Sequence, residues 1–159
     1  YRYFPGKEQL LDDLLPPALL DQLENLATAR LAYLTAARDA SGRTDPQAQA
    51  LRASLAQGLE THRRETAFLL RGAQGTKHAG FAGRIAHTLT RAFTAWALSS
   101  GSAIPEGGDR LVSILYTNML HSLGTLLGSL PPPDASSLQA LLHYHTEGMI
   151  ALSQRWRNT

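Results

Sequence analysis

Few residues in this chain are of the types that do chemistry, and their spacing sorts them quickly. The nearest thing to a metal site is His143-x-His145-x-Glu147. On a helix, residues two apart point to opposed faces, so only His143 and Glu147 could share an ion, and no third ligand accompanies them. The chain has no cysteine, which removes disulfides, thiolate zinc sites and cysteine nucleophiles together. No Ser-His-Asp arrangement or carboxylate pair stands out, and Gly72-Ala73-Gln74-Gly75-Thr76-Lys77 lacks both the spacing and the preceding strand of a phosphate loop. The expectation is therefore no metal, no cofactor and no enzymatic activity.

A second set of residues is polar but set on apolar stripes. His62 follows Leu55 and Leu59 on their face and precedes Thr66 and Leu69. His87 lies beside the stripe Phe81, Ile85, Leu89, Phe93 and Trp96, while Tyr116 and Met119 share an apolar helix. A mostly apolar lining with a few hydrogen-bonding groups is how a pocket for an apolar or aromatic small molecule is built. Taken singly, each of these residues is as well suited to ordinary core.

The elements that must position them are helical. Strand signals are nearly absent, and between breakers the apolar residues recur at three and four spacing, which predicts an all-α chain of about six helices. The first runs from Lys7 to Leu15 and stops at Pro16-Pro17, the second proline being well placed to open the next helix. That helix carries Leu20, Leu23, Leu26, Leu31 and Leu34 towards Ser41-Gly42. Thr44 or Asp45 before Pro46 predicts the start of a third, through Leu51 and Leu55 to about Gly58. A further helix continues or restarts to Leu70, Gly72 to Gly80 reads as a loop, and the Phe81 helix stops at Ser99-Ser100-Gly101.

Two regular seams follow, separated by Pro131-Pro132-Pro133-Asp134, with Asp134 or Ser136 available as N-cap. One is Val112, Tyr116, Met119, Leu123, Leu126, Leu130, and the other is Leu138, Leu142, His145, Met149, Leu152, Trp156. The first of these helices is apolar on two sides, since Leu111, Ile114, Leu115 and Leu127 fall off its seam. Gly124, Gly128 and Gly148 would permit close approach of a partner helix. Two readings are open: the last two helices pair with their copies in a second subunit as a four-helix interface, or the same residues are internal core.

Bulk properties set outer limits. The chain has 159 residues, 43% of them hydrophobic, enough for one domain with a sizeable core. Fifteen Lys and Arg against 13 Asp and Glu is too even for a protein that coats nucleic acid, so any DNA contact must be local. No apolar run approaches the ~20 residues of a membrane span, and no secretion signal is evident. A cytoplasmic protein without membrane association is the default expectation.

The opening residues, Tyr1-Arg2-Tyr3-Phe4-Pro5-Gly6-Lys7-Glu8-Gln9-Leu10-Leu11, read as the tail of one helix, a tight break, and a new helix. Here the chain resembles the TetR family of bacterial transcriptional regulators, whose DNA-binding helix-turn-helix unit ends in a Tyr-x-(His/Tyr)-Phe-x-(Ser/Gly)-Lys-(Glu)-x-Leu signature. Tyr1, Tyr3, Phe4, Gly6, Lys7, Glu8 and Leu10 match it. At the other end, Leu142 to Leu152 with its central Gly148, followed by Trp156, resembles the last helix of these regulators. The first two helices of the DNA-binding unit, and most of the third, do not appear in this sequence.

The resemblance implies several expectations. Residues 1–15 would be the end of the DNA-binding domain, with Tyr1, Arg2, Tyr3 and Lys7 against the DNA backbone, and 16–159 the regulatory domain. Donors of that kind hold phosphate oxygens and fix register without reading sequence. The last two helices would form a homodimer interface, with Leu123, Gly124, Leu127, Leu142, His145, Gly148, Met149, Leu152 and Trp156 at it. A core cavity would hold a small-molecule effector among His62, Thr66, Phe81, His87, Phe93, Trp96, Tyr116 and Met119. The implied function is a ligand-responsive repressor of double-stranded operator DNA. The alternative is a helical dimerisation or small-ligand-binding module that never touches DNA.

Overall fold

The computed structural model describes residues 6–36 and 46–158, and among these every regular element is helical. Helix α1 spans Gly6–Leu14, α2 Pro17–Ala36, α3 Pro46–Thr61 and α4 Arg63–Ala67. A π-helical turn, Phe68–Gly72, extends α4, and α5 (Phe81–Ser99), α6 (Gly108–Leu127) and α7 (Ala135–Arg157) complete the chain. Tyr1, Arg2, Tyr3 and the expected caps Thr44 and Asp45 lie outside the described residues.

Local chemistry sets most of the boundaries. Pro17 and Pro46 each occupy a first helical position, where the missing N–H would have had no helical partner. The end of α5 is a Schellman arrangement. Gly101 takes φ +81°, its N–H bonds the Leu98 carbonyl, and the Ser102 N–H reaches back to Ala97 at 3.0 Å. Asp134 caps α7, its Oδ1 accepting the Ser137 N–H at 2.7 Å. Hydrogen bonds from the Ser137 side chain first, and its backbone N–H second, hold the Asp134 carboxyl below its ordinary value of 3.8.

One boundary departs from the periodicity. The stripe running through Leu55, Leu59, His62 and Thr66 is broken at His62 (φ −108°, ψ 36°), so α3 and α4 are separate helices, and the π turn then offsets the residues after Ala67. Among the described residues, seven helices and a π turn thus stand where about six helices were expected.

The core falls into two clusters. The larger gathers Leu15, Leu19 and Leu23 from the start of the chain with Leu69, the buried face of α5, and Val112, Tyr116, Met119, Leu120, Met149 and Trp156. Phe93 is its aromatic hub, with ring centroids 5.4 Å from Trp96, 6.4 Å from Tyr116 and 6.3 Å from Trp156. The smaller joins Leu55, Ala56 and Leu59 of α3 to Leu123 and Leu127 of α6 and Leu138 and Leu142 of α7, and Leu70 of the π turn packs against both clusters.

Polar contacts tie the ends of this bundle. The Arg63 guanidinium donates to the Leu127 and Ser129 carbonyls, satisfying groups that the end of α6 leaves without helical partners. Buried Ser102 bonds both the carbonyl and the hydroxyl of Ser153 at 2.9 Å, and the Ala103 N–H bonds the Trp156 carbonyl, which fixes the far end of α7 against the loop after α5.

Candidate functional site

The two clusters do not close on each other completely. Between them lies a cavity of about 50 Å³. Its wall is drawn from nearly the whole bundle: Leu23 of α2, Leu55 and Leu59 of α3, Thr66 of α4, Leu70 of the π turn, Phe81, Ile85 and Leu89 of α5, Met119, Leu120 and Leu123 of α6, and Leu142 of α7. Eleven of these twelve side chains are apolar, and none is ionisable. The remaining one is Thr66, which is 4% exposed and whose hydroxyl has no hydrogen-bond partner.

Of the eight residues expected to line a ligand pocket, Thr66, Phe81 and Met119 do so. Phe93 and Tyr116 are fully buried but belong to the aromatic cluster, where the Tyr116 ring stands 5.1 Å from that of His145, and Trp96 is half-buried beside them. His62 is not on the cavity wall: it is the half-buried residue at the α3–α4 break, which turns it off the Leu55 and Leu59 face. His87 points outward from α5 into a surface groove of about 560 Å³ with Thr90, Arg91, Leu98, Asp109, Arg110 and Ser113. Its helix position sits next to the apolar stripe but on the solvent side of it.

The two seams also need correction. Leu123, Leu127, Leu142, Met149 and Trp156 are 0–5% exposed within the single chain, so they form its own core and present nothing to a second copy in this arrangement. Their partners are α3, the π turn and α5; of the off-seam residues of α6 these cover Leu127, while Leu111 and Ile114 stay exposed. Gly124 belongs with the buried residues. A methyl added there would stand 2.8 Å from Arg71 Cγ and 2.9 Å from Leu70 Cβ, so this glycine lets α6 approach the π turn. Among the expected interface residues, His145 and Leu152 are half-buried, and Gly148 alone is exposed, with open space where a side chain would be. The outward faces of α6 and α7 instead carry Leu111, Ile114 and Tyr144, 42%, 48% and 80% exposed.

Lys7 lies in the first turn of α1, its side chain outside the description. On the same helix Leu10 and Leu14 are more than half exposed, and Asp12 pairs with Lys77 of the 73–80 loop. His143 and Glu147 face each other at 3.7 Å on the exposed side of α7, one helical turn apart. Among the described residues there is no group of three potential metal ligands, and no helix is long and apolar enough to cross a membrane.

The cavity residues missed from sequence are leucines on α2, α3, α6 and α7, Ile85 and Leu89 of α5, and Leu70 of the π turn. No family model, curated protein or solved structure matches the chain.

Proposed function

We propose that this chain is the effector-sensing and dimerising part of a DNA-binding transcriptional regulator of the kind its first residues resemble, acting as a repressor and without enzymatic activity. The observation that carries the reading is the almost wholly apolar cavity with contributions from every helix from α2 to α7. A space walled by that many elements is one whose occupation every element must accommodate.

The route to DNA would be short. Leu15 and Leu19, directly after α1, pack in the same cluster as the cavity residues Phe81, Ile85 and Leu89, and the Asp12–Lys77 pair joins α1 to the loop that leads into α5. An effector that fits one arrangement of the core better than another shifts α1 by that difference in affinity, and one that fits both equally does nothing. The exposed Leu10 and Leu14 supply a surface for a DNA-binding unit to rest on. Tyr1, Arg2, Tyr3 and Lys7 would hold phosphates. A homodimer would use the outward faces of α6 and α7, around Leu111, Ile114, Tyr144 and Gly148, and would set two reading heads on successive major grooves of a pseudo-palindromic operator in the cytoplasm.

The test is selection of duplex DNA from a random-sequence pool by the polypeptide carrying every residue its reading frame encodes. Enrichment of a pseudo-palindrome with half-sites about one helical turn apart supports the regulator. Recovery of no sequence above background, with the protein folded, refutes it and leaves a helical ligand-binding or dimerisation module.

A further inference from the structure

Threonine in a helix has a standard place for its hydroxyl, the carbonyl four residues back. Thr28, Thr61, Thr90, Thr117, Thr125 and Thr146 all use it, at 2.7–3.2 Å. Thr66 does not. Four residues before Thr66, the His62 carbonyl takes the Thr66 N–H at 2.9 Å as in any helix, yet the Thr66 hydroxyl bonds nothing. A hydroxyl shut away from water without a partner is costly, and it persists in folded proteins where something other than stability keeps it. This one belongs to the sole polar side chain on the cavity wall.

We propose that the cavity takes an uncharged, mostly apolar molecule bearing one hydrogen-bonding group, and that the Thr66 hydroxyl is the group that anchors it. The inference rests on reading the cavity as the effector site and adds the chemistry of the effector. No cation or anion on the wall could balance a ligand charge, and a bare charge in such a lining is prohibitive. A hydrocarbon would leave Thr66 as unsatisfied as before. A phenol, alcohol, ketone or ester satisfies both sides. Size imposes a further condition, since an apolar cavity of ~150 Å³ is what holds benzene and this one is about 50 Å³. The ligand must therefore move a wall. Leu70 is the side chain placed to yield, because it sits half-buried on the π turn, a departure from α geometry often found at functional sites.

The experiment uses three probes of similar shape, toluene, phenol and benzoate, titrated calorimetrically into the wild-type protein, Leu70→Ala, which adds room, Thr66→Val and Thr66→Ser. Phenol is expected to bind, benzoate is not, and Thr66→Val should weaken phenol by about fivefold, the worth of one hydrogen bond, while leaving toluene within about twofold. Thr66→Ser, which keeps the hydroxyl, should retain most of the phenol affinity. Equal loss of toluene and phenol in Thr66→Val, or benzoate bound as well as phenol, overturns the inference while the cavity stands as a ligand site. Binding of none of the probes to wild type or Leu70→Ala removes the effector-site reading itself.

Discussion

Replacing Thr66 by Val should make the protein more stable, against the usual direction for a buried substitution. Both residues are β-branched, nearly the same shape and close in helix propensity, so α4 and its packing are left alone. What changes is a hydroxyl with no partner at a site 4% exposed. An unmet buried polar group costs about 1–3 kcal/mol, and removing it returns most of that, or a rise in Tm of ~2–4 °C per kcal/mol for a chain of this size. Thr146→Val is the control with the opposite sign. Thr146 is equally buried, at 0% exposed, but its hydroxyl donates to the Leu142 carbonyl at 2.8 Å, so the swap loses a hydrogen bond with a net value of about 0.5–1.5 kcal/mol. The two variants, identical as chemistry, should therefore separate by ~2–3 kcal/mol in urea unfolding at equal protein concentration, one above wild type and one below. Should Thr66→Val lose stability as Thr146→Val does, its hydroxyl is satisfied in solution and the argument for it as a ligand anchor fails.

Two helical glycines are opposites in the structure: Gly124→Ala forces a methyl to within 2.9 Å of Leu70 Cβ, a strain of about 1–3 kcal/mol that outweighs the ~1 kcal/mol gain in helix propensity, while Gly148→Ala meets open space and keeps the gain. Urea midpoints should thus fall for the first and rise for the second. If the proposed homodimer forms through this face of α7, wild type sediments as a dimer and Gly148→Arg as a monomer with its helical spectrum intact; a monomeric wild type would refute the dimer, and an unchanged dimer would move the interface off this face. Because hydrogen bonds from Ser137 depress the Asp134 carboxyl, its capping contribution is complete above the ordinary value of 3.8 and is lost as pH falls through the lower folded value. The stability advantage of wild type over Asp134→Asn should accordingly shrink on acidification through that window, and a gap independent of pH would show that the charge of the cap is immaterial.

Much of the fold was legible in the residues alone. Apolar spacing of three and four marks helices whatever covers them, so the all-helical class and the Phe81–Ser99 helix followed from pattern and capping chemistry, as did Pro17 and Pro46 at helix starts, while of the two caps open for α7, Asp134 and Ser136, the structure uses Asp134. The break at His62 and the π turn after Ala67 did not, because no proline stands there to force them and the segment packs by tertiary contact, α4 against α6 and the π turn against both α5 and α6. Periodicity likewise identifies a stripe without saying what lies on it. Leu123, Leu142 and Trp156 form seams that fit a second subunit as well as a neighbouring helix, and only the arrangement of α3, the π turn and α5 over them settled that they are interior. Thr66 shows the same division of labour. Its place among leucines was readable from spacing, but that its hydroxyl is without a partner and stands on a cavity assembled with six other elements is not written in the stretch of chain that contains it.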